Sequence, residues 1–278
     1  MSKNLSTSGL SRAIKEALSS YEAGDKSHHY SKPKEFTVKV ANSLQAREKV
    51  FHLAYQVYLD KGFIKKNAQE WLVNNYDAVN ETVILMVEDE FKQIAGTLTL
   101  VFDNSIRLPA EKIYSEEINL LRAKGERLLE TSRLAINPEY RNTKEVLQLL
   151  LNYMLIYAHY VRKYSAMIIE VNPRHKTYYK SLMKFDEIGA EKSCPFVQNA
   201  PAVLLHLPLE RYQSEIHRCT KLSDKNTKER SLYPYFLQPE QEKLVAHYLQ
   251  RQCKPMTSEE KIYFGFSESG KNKAVCLV

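Results

Sequence analysis

The densest chemistry in the sequence lies in the run Glu130-Thr-Ser-Arg133-Leu-Ala-Ile-Asn-Pro138-Glu-Tyr-Arg141-Asn142, which leads into the apolar segment Val146 to Val161. A strand stopped by Asn137 and Pro138, passing Arg141 into a helix start, brings free backbone N–H groups and the positive end of a helix to one point. That point suits a phosphate. A second run, Ile168-Ile-Glu-Val-Asn172-Pro173-Arg174-His175, continues through Tyr178 and Tyr179 to Phe185 and again reads strand, turn, helix. It should lie beside the first.

Other chemistries find no support. Gly265 to Asn272 nearly spells a phosphate-binding loop, but Asn272 stands where the metal-binding hydroxyl belongs, and only six residues follow for the helix. No Gly-x-Ser-x-Gly elbow, His-Glu-x-x-His or dinucleotide fingerprint occurs, which leaves hydrolase, zinc-protease and dehydrogenase readings empty. His28 and His29 sit in a polar leader and read as surface residues rather than metal ligands. No metal is expected.

The elements needed to position the two runs can be read from periodicity. Phe36, Val38 and Val40 alternate as a strand, and Ser43 can cap a helix with Ala46, Val50, Phe51, Ala54, Val57 and Tyr58 on one face. Thr82 to Glu88 and Ile94 to Phe102 read as a hairpin around Asp89 and Glu90. A mixed stretch with Pro109 leads to a strand from Arg127 to Ile136 and a helix from Thr143 to Tyr164. Its tyrosine stripe, Tyr153, Tyr157, Tyr160 and Tyr164, reads as core. Met167 to Val171 is a buried strand, Pro173 opens a helix to about Lys184, and Ala202 to Leu207 closes the sheet. Strands alternating with helices imply a mixed α/β (α+β) sheet. The division expected is a leader over residues 1–34 with a short amphipathic helix (Leu10, Ile14, Leu18, Tyr21), a main domain over 35–209, and a C-terminal extension over 210–278 packed on it. A helix at Pro239 to Gln252 belongs to the extension.

Composition bounds the class. The 278 residues are 44% hydrophobic and 26% charged, with only 8 Gly and 10 Pro, which excludes collagenous, low-complexity or disordered chains. Four scattered cysteines make no disulfide framework, and no apolar run suits a signal peptide or spanning helix, so a reducing, cytoplasmic compartment is expected. The net charge of +7 is uneven: the leader has six basic against three acidic residues and the extension twelve against nine, so the middle is almost neutral. Basic flanks could meet nucleic acid, anionic lipid or an acidic carrier. No nucleic-acid motif appears, and none is expected as a partner.

With these residues in order, the sequence resembles the GNAT acyltransferase superfamily, Arg133 to Tyr164 being similar to its phosphopantetheine-binding unit and Asn172 to Phe185 to its following helix. Arg47-x-x-x-Phe51, Asn74-Asn-Tyr-Asp77, Ile94-Ala-Gly96-Thr-Leu-Thr99 and Glu130-x-Ser132-Arg133 follow one another as in the acyl-carrier-dependent branch of N-acyl-homoserine-lactone synthases and N-acyl amino acid synthases. The resemblance spans roughly residues 36–209. Two glycines usual after Arg141 are Lys144 and Val146 here, which fits the single phosphate of a carrier-borne 4′-phosphopantetheine better than the pyrophosphate of coenzyme A. Thr99 replaces an arginine and Asn74 an aspartate usual in homoserine-lactone synthases, favouring the N-acyl amino acid synthase.

The resemblance therefore implies an enzyme moving a medium or long acyl chain from acyl carrier protein to the amine of a small amino acid, with no permanently bound cofactor. A homoserine-lactone synthase, an ordinary acyl-CoA N-acetyltransferase and a silent lipid- or nucleic-acid-binding module are the alternatives. Acyl transfer needs a proton route, oxyanion donors and an acid for the thiolate. Glu130 is the expected base, Arg133 its orienting group or the holder of the acceptor carboxylate, and Tyr179 faces the leaving sulfur. Strand alternation separates Glu130 from Arg133, so joint action requires a bulge. Leu134, Ile136, Arg141, Asn142, Lys144 and Asn172 are expected on the donor phosphopantetheine, with backbone N–H groups near Leu134 to Ile136 polarising the thioester; Arg47, Phe51, Asp77 and Thr99 are expected on the acceptor side. Peripheral membrane contact would come through the lipid product.

Overall fold

The computed structural model describes residues 35–141, 144–221 and 230–266. The expected leader helix, His28 and His29, Asn142, the polar loop over residues 222–229, and the chain beyond Phe266 with its Gly270-Lys271-Asn272 lie outside them. Seven strands form one sheet in the order β1-β2-β3-β4-β5-β7-β6. They are β1 (Thr37–Val40), β2 (Val83–Glu88), β3 (Ile94–Phe102), β4 (Leu128–Ile136), β5 (Ala166–Val171), β6 (Asp186–Cys194) and β7 (Ala200–Pro208). Every neighbouring pair is antiparallel except β4 and β5.

Helices cover both faces, which is why β2 and β3 are buried along their whole length. On one face lie α1 (Leu44–Asp60) and α2 (Glu111–Ala123). Ser43 caps α1 by accepting from the Ala46 N–H, and Val50, Phe51, Ala54 and Val57 pack on Ile84, Met86 and Ala135. Tyr114, Ile118 and Leu121 of α2 pack on Val101, Leu128, Ile168 and Leu204. On the other face α3 (Lys144–Ile156) and α4 (Pro173–Met183) cover Leu98, Leu100, Leu129, Met167 and Leu205. A Cβ at Gly96 would stand 2.8 Å from Val146 Cγ1, so the glycine lets α3 approach β3.

The structure departs from the sequence reading in three places. Helix α2 forms where a mixed stretch was expected, and β6 where none was. The helix expected to reach Tyr164 is α3, followed by a π-helical turn over Tyr157–Val161. The helix expected from Pro173 to about Lys184 is α4, with Lys184 as its left-handed C-cap at φ 59°. Tyr153 and Tyr157 are buried in the core.

After β7 the chain forms α5 (Leu209–Lys221), α6 (Pro239–Gln252) and α7 (Ser258–Tyr263). This strap lies against the α3 face, where Leu237 N–H donates to Asn152 and the Tyr233 hydroxyl donates to the Met183 carbonyl. It then passes the β1 edge, where Gln252 Oε1 accepts from the Val40 N–H. Finally it reaches α1, where Phe264 and Phe266 join the core beneath that helix.

Candidate active site

Strands β4 and β5 pair only over Leu128–Ala166, Leu129–Met167 and Glu130–Ile168. Beyond that point β4 stays with β3 and β5 with β7, so the sheet opens into a wedge beginning at Glu130. Backbone N–H groups of β4 past Glu130 have no β5 partner among the described strands.

A bulge then re-aims the strand. Thr99 faces Ser132 and Thr97 faces Ala135, so Arg133 and Leu134 together oppose Leu98. Arg133 occupies the left-handed region at φ 51°, a conformation that a non-glycine residue holds only when its surroundings enforce it. The enforcement is visible. The Arg133 guanidinium grips the Asp77 carboxylate through both terminal nitrogens, one bond measuring 2.8 Å, and donates to the Leu72 carbonyl at 3.0 Å and Thr99 Oγ1 at 3.1 Å. Asp77 in turn accepts from the Asn74 N–H at 2.7 Å, in a capping box on the short 3₁₀ turn Asn75–Ala78. The bulge thus carries Arg133 to the face that Glu130 shares.

Glu130 is 3% exposed, and one oxygen accepts the Ala110 N–H at 2.8 Å. Burial pushes its carboxyl up to about 8; the Ala110 bond opposes this, and the charges of Glu170 and Glu111 add to it. Glu170 follows on the same face of β5, two residues past the Glu130 partner Ile168, and burial raises it too. Tyr58, in the last turn of α1, is pushed up to about 12 by burial, with Arg133 and Glu170 as its charged neighbours. Tyr76 is likewise pushed up to about 12 by burial, beside Glu130 and Glu111. Burial also raises Tyr179, whose neighbours are Tyr58 and Tyr178. A desolvated acid with a ring of tyrosines can exchange protons with a bound amine or thiol.

The expected residues distribute as follows. Glu130, Arg133, Asp77, Thr99 and Phe51 converge on the α1/α2 face, with the Arg133 guanidinium carbon 5.8 Å from the Phe51 ring centroid. Both terminal nitrogens of Arg133 hold Asp77, so the carboxylate it grips is the protein's own. Arg47 holds Glu260 at 2.6 Å and the Lys254 carbonyl, both in the strap. Leu134 and Ile136 are half-buried along the opened part of β4, and Arg141 and Lys144 are exposed at its end. Asn172 caps α4 by accepting from the Arg174 N–H and donates to the Pro201 carbonyl. Four contributors escaped the sequence reading. Lys61 lies within electrostatic reach of Arg141 and Arg174: burial lowers its ammonium, and the charges of the two arginines lower it further. Tyr58 could have been found, since Arg47, Phe51, Ala54 and Tyr58 recur at helical spacing; Glu170 could not, because its neighbour depends on the β4–β5 register.

Among the described residues no cluster of His, Cys, Asp or Glu could hold a metal, and no helix is long and apolar enough to cross a membrane. A mixed sheet opened between its parallel strands, with a bulge beside a buried glutamate, is the architecture of a GNAT-like N-acyltransferase. The profile of the family described as N-acyl amino acid synthase FeeM matches residues 49–208, and the chain belongs to that family. Among solved structures it is similar to FeeM, an N-acyl amino acid synthase from uncultured soil microbes, at 22% identity, over 66% of this chain and 96% of that one, with a TM-score of 0.59. The AHL synthase LasI (15% identity, 63% of this chain and 91% of that one, TM-score 0.48) and an acyl-CoA N-acyltransferase from Pseudomonas aeruginosa (16%, 62% and 98%, 0.45) also match. No curated protein matches the sequence.

Proposed function

We propose that the enzyme transfers a medium or long acyl chain from the phosphopantetheine thioester of an acyl carrier protein to the α-amine of an amino acid. The observation that carries this reading is Glu130, a desolvated carboxyl at the point where β4 and β5 part. In this scheme the carboxylate of Glu130 takes a proton from the acceptor ammonium, directly or through water, and the freed amine attacks the thioester carbonyl. Backbone N–H groups of Leu134 to Ile136 stabilise the oxyanion; the attacking nitrogen gives up its second proton to solvent water, and collapse forms the amide and breaks the C–S bond. Tyr179 supplies the proton that makes the departing thiolate a thiol, and is recharged from solvent. Arg133 positions the acceptor side by fixing the bulge against Asp77.

A carrier donor is favoured by charge. Arg141, Lys61 and Arg174, drawn from the β4 end, α1 and α4, would meet one phosphate, with Lys144 at the start of α3 beside them. The wedge would take the acyl chain, each methylene removed from water contributing roughly 0.8 kcal/mol. The deciding experiment offers purified protein acyl-carrier, long acyl-CoA and acetyl-CoA in parallel, with free amino acids and S-adenosylmethionine as acceptors, and reads products by mass spectrometry. N-acyl amino acid formed from the carrier is expected. Turnover from acetyl-CoA alone returns the enzyme to an ordinary acetyltransferase, and lactone formation makes it a homoserine-lactone synthase.

A further inference from the structure

The family match ends at residue 208, yet the strap beyond it reaches the residues that hold Arg133. The Phe264 ring stands edge-on to Phe51 at 5.0 Å and to Trp71 at 5.1 Å, and Tyr263 lies 5.3 Å from Trp71. Trp71 precedes Leu72, whose N–H donates to the Phe51 carbonyl at 3.2 Å and whose carbonyl accepts from Arg133. At the other end of the same loop, Lys261 of α7 donates to Asn80 at 3.3 Å. The loop over residues 71–80, which contains Asp77 and its capping box, is therefore pinned at both ends by α7.

The strap end is itself anchored. Arg47 donates to both oxygens of Glu260 at 2.6 Å and to the Lys254 carbonyl at 2.6 Å, and the Tyr263 hydroxyl donates to Glu48. The Arg47 and Glu260 side chains are only 5% and 12% exposed, where a fixed ion pair resists rearrangement more than a surface one does. Arg47 thus serves the acceptor side through the strap rather than by touching an acceptor.

We propose that α7 and Phe264 are a positioning element for the amine acceptor: they set the loop over residues 71–80 and, through Leu72 and Asp77, the Arg133 bulge. This rests on the reading that the α1/α2 face takes the acceptor. Donor contacts at Arg141, Lys144, Lys61 and Arg174 lie at a different end of the site, so loosening α7 alters acceptor binding and leaves carrier binding alone.

The test uses full-length Phe264→Ala, Phe264→Leu and Glu260→Gln, with Val245→Ala as a control for lost stability, since Val245 is buried in the α3 face away from the loop. Steady-state KM is measured separately for amino acid and acyl-carrier. Phe264→Ala and Glu260→Gln should raise the acceptor KM by about tenfold or more with carrier KM unchanged, the cost of misplacing a binding group. Phe264→Leu should recover part of the loss, and Val245→Ala should lower Tm without moving the acceptor KM. Trp71 is the only tryptophan, so quenching of its fluorescence by amino acid gives an affinity without turnover. A parental acceptor KM and quenching affinity in Phe264→Ala overturn the proposal, as does a rise of both KM values together. Absence of any acyl transfer by the parent overturns the functional reading instead, while the Trp71 titration still judges the strap.

Discussion

Burial holds Glu130 in its neutral form over most of the ordinary pH range, and charging it costs free energy. Its ordinary carboxyl range lies near 4.5, and in the folded protein it titrates at about 8, so the native state binds a proton the unfolded chain has released. Stability tied to this group is fully present below about 4.5 and is lost as pH rises through about 8. In the proposed scheme activity has the opposite slope, because Glu130 must be deprotonated to act as the base. With a fixed acceptor, kcat/KM should rise with pH through a limb at about 8, and Glu130→Gln should remove that limb and lower kcat/KM by about 10²-fold. The same variant should melt higher than the parent at pH 8 and equal to it at pH 4, by calorimetry. A variant that is both slower and more stable separates a functional burden from a structural support. Arg133 illustrates the limit of pattern reading at this scale. The spacing Glu130-x-Ser132-Arg133 is legible as a string, but its sense depends on a bulge opposite Leu98, and the Asp77 partner lies 56 residues away.

Element by element, the fold is legible where one face alternates cleanly or a run is apolar throughout. β2, β3, β4, β5 and β7 are such segments, and Ser43 marks the start of α1. α2 is obscured because Ala110 at its N-cap gives no side-chain hydrogen bond and Tyr114 kinks it, with φ −123° and ψ 32°. β6 is obscured because it is an edge strand with Glu187, Glu191 and Lys192 in it, so alternation is lost. The two hidden elements depend on each other. The Tyr114 hydroxyl shares its one proton between the Ala202 carbonyl at 2.6 Å and the Ala190 carbonyl at 2.9 Å, and its ring lies over Gly189, where a Cβ would stand 2.7 Å away and 2.8 Å from Leu204 Cβ. Gly189→Ala should therefore cost roughly 1–3 kcal/mol in urea unfolding, since the ring and β7 cannot both retreat. Because α2 also presents the Ala110 N–H to Glu130, the same change should shift the activity limb, which a pH profile would show.

At the scale of the whole molecule, charge and covering are divided. The basic residues Lys61, Arg141 and Arg174 feel one another's charge at the end of the sheet, and this is the surface that the proposed reading turns toward an acidic carrier. KM for acyl-carrier should rise several-fold between about 50 and 200 mM salt, as exposed charge pairs are screened. Lys61→Ala and Arg174→Ala should flatten that dependence, and the amino acid KM should not follow salt; a carrier KM indifferent to salt would remove charge steering. The overall domain is legible from the alternation of elements, whereas the route of the strap is not, because its contacts with Arg47, Val40 and Asn152 join positions 85 to 213 residues apart.

One small contact has a further reach. β1 is four residues long and ends the sheet, and an open strand edge invites another chain to add a strand of its own. Gln252 occupies that opening: its side-chain oxygen takes the Val40 N–H, and its carbonyl takes the Asn42 amide. The opposite edge, β6, deters pairing by its charges. The last turn of α6 thus covers an edge that would otherwise be open to a further strand, and a chain cut before Gln252 should elute as a concentration-dependent dimer or aggregate in size-exclusion chromatography where the full chain does not.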